Sequence, residues 1–219
     1  METAEQLSKA LRERFGDLWR RLGAAGEGDH LTDELLDAYR EPHRHYHGMD
    51  HLRDCLQQLD AAPAAGGDRD LAEVALWFHD AVYVPGAVDN EIRSAERALR
   101  AFAGAYLPEV LGREVARLIR LTDHAAAAED PLGALVCDVD LSILGRPPAE
   151  FAEYDRRIRA EYAGVAEPLY RTGRASVLAR LLTRESLYRS PHFKERYELA
   201  ARRNLARSLA MLMLKADPE

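Results

Sequence analysis

Cysteine is scarce in this chain, with two, Cys55 and Cys137, among 219 residues. Two isolated cysteines give no disulfide framework and suit a reducing cytoplasm, although a single bridge stays open. Long apolar runs are also missing. No stretch approaches the roughly 18 apolar residues that a membrane-spanning helix needs, and a charged fraction of 31% argues against a membrane protein. Excess positive charge is absent. The formal net charge of −7 disfavours general binding to nucleic acid or to an anionic membrane, while leaving room for a local basic patch that holds a phosphate. No alternating apolar–polar pattern persists, which excludes a sheet, and there is no internal repeat and no long linker. The first residues, Met1-Glu2-Thr3-Ala4-Glu5, are acidic and amphipathic and do not read as a secretory signal. A cytoplasmic protein is expected.

What is present is helix. A hydrophobic fraction of 47% supports a real core, and the length suits one large domain better than two small ones. Apolar residues recur at three- and four-residue spacing over Leu7–Leu22, with Leu11, Phe15 and Leu18 on one stripe. Thr32, followed by Asp33 and Glu34, predicts a helix start running to about Arg40. Further helices are expected over Met49–Leu59, Asp70–Tyr83 (before Pro85-Gly86), Asp89 or Asn90 to Phe102, and Val110–Thr122. Asp130-Pro131 starts the next, to about Leu144. Pro147-Pro148 opens a helix to Tyr162, Glu167–Tyr188 continues helical, and Ser190-Pro191 starts the last, to about Lys215. Ala61–Gly67 reads as a loop. The expected fold class is all-α, one domain over residues 1–219.

The chemistry gathers at five places. His79-Asp80 closes the apolar run Val74-Ala75-Leu76-Trp77-Phe78, and a buried charge is costly unless paired or bound to a metal. Imidazole and carboxylate side by side are donors that a hard or borderline divalent cation uses. Upstream, Tyr46-His47-Gly48-Met49-Asp50-His51 carries two histidines four apart, which a helix would place on one face. His124 is expected to end a helix. Asp138 and Asp140 stand two apart in an apolar segment, about 200° apart on a helix, so that one of them faces a site and the other caps, pairs or meets solvent. His43 and His45 read as surface residues. Each feature also has a plain structural reading: Asp80 as a cap, Asp140 paired with an arginine, His124 favoured by a helix C-terminus. The order His, His-Asp, His, Asp across successive helices is harder to explain that way.

That order, with Arg44-His45-Tyr46-His47-Gly48-Met49-Asp50-His51, Trp77-Phe78-His79-Asp80-Ala81-Val82-Tyr83, Asp89-Asn90-Glu91-Ile92-Arg93-Ser94-Ala95, Asp138-Val139-Asp140-Leu141-Ser142-Ile143-Leu144-Gly145 and Ile158-Arg159-Ala160-Glu161-Tyr162, resembles the HD-domain superfamily of metal-dependent phosphohydrolases, in its small bacterial branch. The resemblance implies an HD-type helical bundle with a metal-binding core over about 40–145 and a helical extension over 146–219. It implies His51, His79, Asp80 and Asp140 as metal ligands. Cyclic-nucleotide phosphodiesterases, more distantly similar, carry a Tyr-His-Asn-x-x-His motif whose second His binds metal and whose first stands near the leaving group. Their distal Asp precedes Leu-Ser, as Asp140 does here, which favours Asp140 over Asp138. Gly48 replaces the Asn of that motif, so specificity for cyclic nucleotides does not carry over.

The activity so implied is hydrolysis of a phosphomonoester or phosphodiester, a nucleotide among the candidates, by metal-activated water. Asp80 would orient the water or take its proton, and His47 would donate to the leaving oxygen, as suits an imidazole of ordinary pKa ~6.5. Arg44 and Arg93 are candidate phosphate clamps, Glu91 a support for a metal-bound water, and His124 a contact for phosphate or a second ion. Two imidazoles and two carboxylates suit Mn, Fe, Co, Ni or Zn and do not exclude Mg. With one histidine, His124, between Asp80 and Asp140, a single ion is favoured. The expected partner is a small phosphorylated substrate, with no nucleic acid and no membrane; a homodimer stays open. The competing reading is a nucleotide-binding or regulatory module without catalysis.

Overall fold

The computed structural model describes residues 3–26, 28–63, 68–126 and 128–214. Among them are ten α-helices and no strand, so the all-α expectation holds. No helix among them is long and apolar enough to cross a membrane. Parts of two sequence expectations, the loop through residues 64–67 and the helix end at Lys215, lie outside the described residues.

The chain divides into two compact units, Met1–Cys137 and Asp138–Glu219. The first contains α1 (Ala4–Arg21), α2 (Asp29–Ala38), α3 (Met49–Ala61), α4 (Arg69–Phe78), α5 (Asn90–Gly104), α6 (Glu109–Arg120) and most of α7 (Pro131–Asp140). Helix α4 is its axis. Every residue from Leu71 to Phe78 is buried, as expected of a helix that is apolar on all sides. Phe15 of α1 meets Trp77 edge-on at 4.9 Å between ring centroids and stacks on Trp19 at 5.4 Å. The one acid in this stretch, Glu73, is paired. Arg14 donates from Nε to Glu73 at 2.7 Å and reaches both oxygens of Asp60 at 2.6 and 2.8 Å, tying α1 to α3 and α4.

Two helix boundaries in this unit differ from expectation, each for a physical reason. Thr32 does not begin α2. Gly28 does, with left-handed φ of 73°, and a Cβ there would stand 2.8 Å from Trp19 Cδ1. Thr32 is buried within the helix, its hydroxyl donating back to Gly28 O at 2.9 Å. Helix α4 stops at Phe78, short of the expected Tyr83. The backbone of residues 81–84 is taken up instead by one face of α5: Ser94 bonds both N and O of Val82, Asn90 bonds both N and O of Val84, and Arg97 donates to Ala81 O. Side chains that satisfy the backbone polar groups release the chain from the helix at no hydrogen-bond loss.

The second unit contains a 3-10 turn (Leu141–Gly145), α8 (Pro148–Glu161), α9 (Glu167–Leu182) and α10 (Pro191–Leu214). Helix α9 ends at Leu182 rather than Tyr188 by the same device. Arg202 donates to the carbonyls of Leu182, Arg184 and Glu185, and Glu198 accepts from the backbone N–H of Leu187 and Tyr188. Gly145 is pressed so closely on α10 that a Cβ would lie 2.4 Å from Tyr197 Cβ. Asp138 is fully buried and structural: Oδ1 accepts from Arg189 N at 2.8 Å and Oδ2 from Ser190 N at 2.7 Å, just ahead of α10. Burial raises its carboxyl above the usual carboxylate range, and the two N–H donors only partly counter this.

Asp138→Ala leaves those N–H groups without their acceptor and should lower the unfolding free energy by about 1–3 kcal/mol. Asp138→Asn, which keeps one acceptor oxygen, should lose less. Thermal unfolding of the purified variants measures both; equal stability of Asp138→Ala and the parent chain would contradict the assignment.

Candidate metal centre

The loss of helix after Phe78 determines where the His-Asp pair points. His79 and Asp80 occupy the turn that follows α4, with Ala81 N donating to Phe78 O at 2.9 Å. Arg44 braces this turn from the loop before α3. Its side chain is 1% exposed; it donates to Asp80 O, to His47 O at 3.3 Å and to Glu41 at 2.9 Å. Its guanidinium also lies over the rings of Tyr39 and Tyr83. The Arg44 fork, expected as a phosphate clamp, is here engaged with Glu41 and with backbone carbonyls and holds the loop together.

Within the first unit the structure brings His51, His79 and Asp80 together. His51 Nε2 lies 3.1 Å from His79 Nε2. Asp80 Oδ2 lies 3.1 Å from His79 Nε2 and 3.6 Å from His51 Nε2. That oxygen is buried and, among the described residues, makes no well-angled hydrogen bond to a donor. His79 Nδ1 is 2.8 Å from Leu76 O, and a carbonyl can only accept, so Nδ1 carries the proton. In the neutral ring Nε2 is then a bare lone pair. A histidine fixed in this way by a backbone carbonyl is the usual support of a metal ligand. His51 Nε2, His79 Nε2 and Asp80 Oδ2 therefore converge on one buried place, His79 Nε2 and Asp80 Oδ2 as acceptors.

Nitrogen and oxygen donors held at about 2.0–2.2 Å from one tetrahedral ion stand roughly 3.3–3.6 Å from one another; the 3.6 Å between His51 and Asp80 matches, and the two separations of 3.1 Å are slightly shorter. Burial pushes the Asp80 carboxyl up, but the neighbouring imidazoles of His79, His47 and His51, when they carry protons, outweigh it and hold it well below the usual carboxylate range. Asp80 is thus ready as an anion.

The remaining candidates fall as follows. His47 does not share a helix face with His51, because α3 begins at Met49; His47 lies in the preceding turn. Its half-buried ring still comes within 5.8 Å of His51 and 4.1 Å of Tyr83, centroid to centroid. Glu91 is half-buried in the first turn of α5, and Arg93 is exposed two residues on. His124 follows a 3-10 turn (Leu121–Asp123) with left-handed φ of 52°, half-buried. Asp140 is the last residue of α7, half-buried, in the second unit. Of the two surface histidines expected, His45 is exposed, and exposed His43 also contacts Tyr83 O at 3.0 Å.

Sequence reasoning missed Cys55. It sits one turn after His51 on α3, is 2% exposed, and belongs with His51 and His79 to a set of donor atoms within 4.8 Å of one another. The signal was available: a His and a Cys four residues apart on a predicted helix share a face.

Arg44→Met keeps much of the apolar stem but leaves the Asp80 and His47 carbonyls without their donor. An expected loss of about 1–3 kcal/mol in unfolding free energy is measurable by urea denaturation, and an unchanged midpoint would contradict the bracing role.

Comparison of the chain with family models, with curated proteins and with solved structures finds no match in any of the three.

Proposed function

We propose that this protein is a metal-dependent phosphohydrolase that cleaves a phosphomonoester or phosphodiester of a small molecule, a nucleotide being one candidate. The observation that carries the proposal is the convergence of His51 Nε2, His79 Nε2 and Asp80 Oδ2, all buried, at 3.1–3.6 Å from one another. A carboxylate and two imidazoles this close in a poorly solvated place need a proton or a cation among them, and a divalent cation would engage all three atoms at once. The order of the His, His-Asp and Asp residues in the sequence supports the phosphohydrolase reading over other uses of an ion.

His51, His79 and Asp80 would hold the ion, with Asp140 proposed as a further ligand from the sequence resemblance. A divalent cation placed there supplies charge that polarises a phosphoryl oxygen and acidifies water at neutral pH. The protein's part is to present the donors and to move protons. Arg44, through the Asp80 carbonyl, fixes the turn from which the carboxylate projects. Asp80, ionised, orients the attacking water or accepts its proton. His47 lies outside the three-atom cluster, between the rings of Tyr46 and Tyr83, and would donate a proton to the leaving oxygen. A cavity of about 310 Å³ shares Tyr46 with this region and is lined by His45 and Arg53. Its size is that of a site for a small phosphorylated molecule.

Asp80→Ala and His51→Ala should each lose bound metal, measured by elemental analysis of the full-length protein. Each should also lose hydrolysis of nitrophenyl phosphate mono- and diesters by at least the roughly 10- to 100-fold that even supporting residues of metal sites cost. Asp140→Ala is expected to follow them. Full activity in Asp80→Ala and His51→Ala would overturn the proposal. His47→Gln should separate binding from proton transfer, keeping the metal content while kcat falls by roughly 10²- to 10⁴-fold. Loss of metal in His47→Gln would make His47 a ligand instead.

A further inference from the structure

His47 stands in a turn, half-buried, and an imidazole rotates broadly about its last side-chain bond. A proton donor needs that rotation stopped, because a misplacement of about 1 Å can cost roughly 10²-fold in rate. Two rings meet His47. The Tyr46 ring stands edge-on, 4.9 Å away at 82°, and the Tyr83 ring lies at 4.1 Å, tilted by 30°. Tyr46 is the adjoining residue of the same turn and moves with it. Tyr83 comes from the other segment of the centre, three residues after Asp80. Its own place is fixed. Ser94 bonds the backbone N and O of Val82, and Asn90 those of Val84, so α5 grips the chain before and after Tyr83. His43 Nε2 donates to Tyr83 O at 3.0 Å, since a carbonyl can only accept. The Arg44 guanidinium lies 5.6 Å from the Tyr83 ring centroid and donates to the carbonyls of both His47 and Asp80. With the ring 8% exposed, its packing is set by these neighbours and not by solvent.

We infer that Tyr83 is a positioning residue for His47: its ring, anchored on α5, sets the plane from which the imidazole delivers a proton to the leaving oxygen. Proton donor and carboxylate are thereby referred to one stretch of backbone, residues 80–84, although they come from segments far apart in sequence. A near-parallel approach at 4.1 Å is a contact of ring faces, so the ring and not the hydroxyl carries the effect. The inference rests on the reading of His47 as proton donor given above.

The test uses the full-length protein as purified and has two readouts. In the proton NMR spectrum, the ring signals that vanish in His47→Gln should be shifted upfield in the wild type by the Tyr83 ring current. Tyr83→Leu should lose that shift and Tyr83→Phe should rescue it. In hydrolysis, phenolate needs a proton to leave and dinitrophenolate does not. Tyr83→Leu should therefore lower kcat for phenyl phosphate by roughly 10²-fold, with KM unchanged and dinitrophenyl phosphate largely spared; Tyr83→Phe should rescue the loss. His47→Gln should show the same split, and the double variant should be no slower than His47→Gln, because residues acting as a unit are not additive. Equal losses on both esters in Tyr83→Leu, beside a split in His47→Gln, would make Tyr83 merely structural and overturn the inference. A loss in His47→Gln that ignores the leaving group would overturn His47 as proton donor. A wild type that cleaves neither ester would overturn the phosphohydrolase reading itself. Absence of the upfield shift in the wild type overturns the inference even where Tyr83→Leu does not fold.

Discussion

Two imidazole nitrogens and a carboxylate oxygen, buried and 3.1–3.6 Å apart, cannot stand together with every lone pair bare, so a proton or a cation lies among them. A neutral His51 with its proton on Nε2 donates to His79 Nε2 at 3.1 Å. A divalent cation would face all three atoms at once and suits the tautomer that Leu76 O imposes on His79. The rest of the first unit is arranged so that this unfavourable cluster can exist.

The arrangement depends on removing His79 and Asp80 from helix α4 at the right residue. Had α4 continued to Tyr83, His79 and Asp80 would have been directed by helical geometry, successive residues about 100° apart. Instead α5 accepts the next stretch of backbone through Asn90, Ser94 and Arg97, spaced four and three residues apart on one face. Arg44 takes the carbonyl of Asp80 from the other side. The backbone loses its helical hydrogen bonds and regains them from side chains, so the turn is rigid without being regular. Metal sites need such rigidity, because affinity depends on donors held in place before the ion arrives.

The fold class, the existence of each helix and the candidacy of His51, His79 and Asp80, which the fold brings together, were legible in the sequence, since each leaves a local trace: apolar spacing, a cap, a polar dipeptide in an apolar run. The ends of α4 and α9 were not. The apolar pattern over Leu76–Tyr83 and over Leu178–Tyr188 continues past the point where each helix stops, because what stops it is a side chain on a later helix. Ser94 and Asn90 act on residues 82 and 84, and Glu198 and Arg202 on residues 182–188. Periodicity cannot report a hydrogen bond between segments distant in sequence. The same limit applies to Arg44, whose burial depends on Tyr39, Tyr83 and the Asp80 carbonyl meeting around it. Asp138 and Asp140 could be separated from one another on the helix but not assigned by it; the N–H groups of Arg189 and Ser190 give Asp138 its structural place.

Arginine illustrates the principle more broadly. The chain has 27 arginines and three lysines, a bias that would suggest a surface for phosphate or nucleic acid if arginines pointed outward. Many do not. Arg69 donates to carbonyls at the end of α3, Arg97 to Ala81 just beyond α4, Arg159 to Tyr162 and Val165 beyond α8, and Arg202 to three carbonyls at the end of α9. The last carbonyls of a helix have no partner within it, and a planar fork with five donors can serve several of them at once, whereas a lysine offers one ammonium point. Arginine is thus used here as a long-range C-cap. This is consistent with a chain of net negative charge that closes so many of its helices without glycine, and it explains how the irregular turn of His79 and Asp80 can sit directly after a fully buried helix.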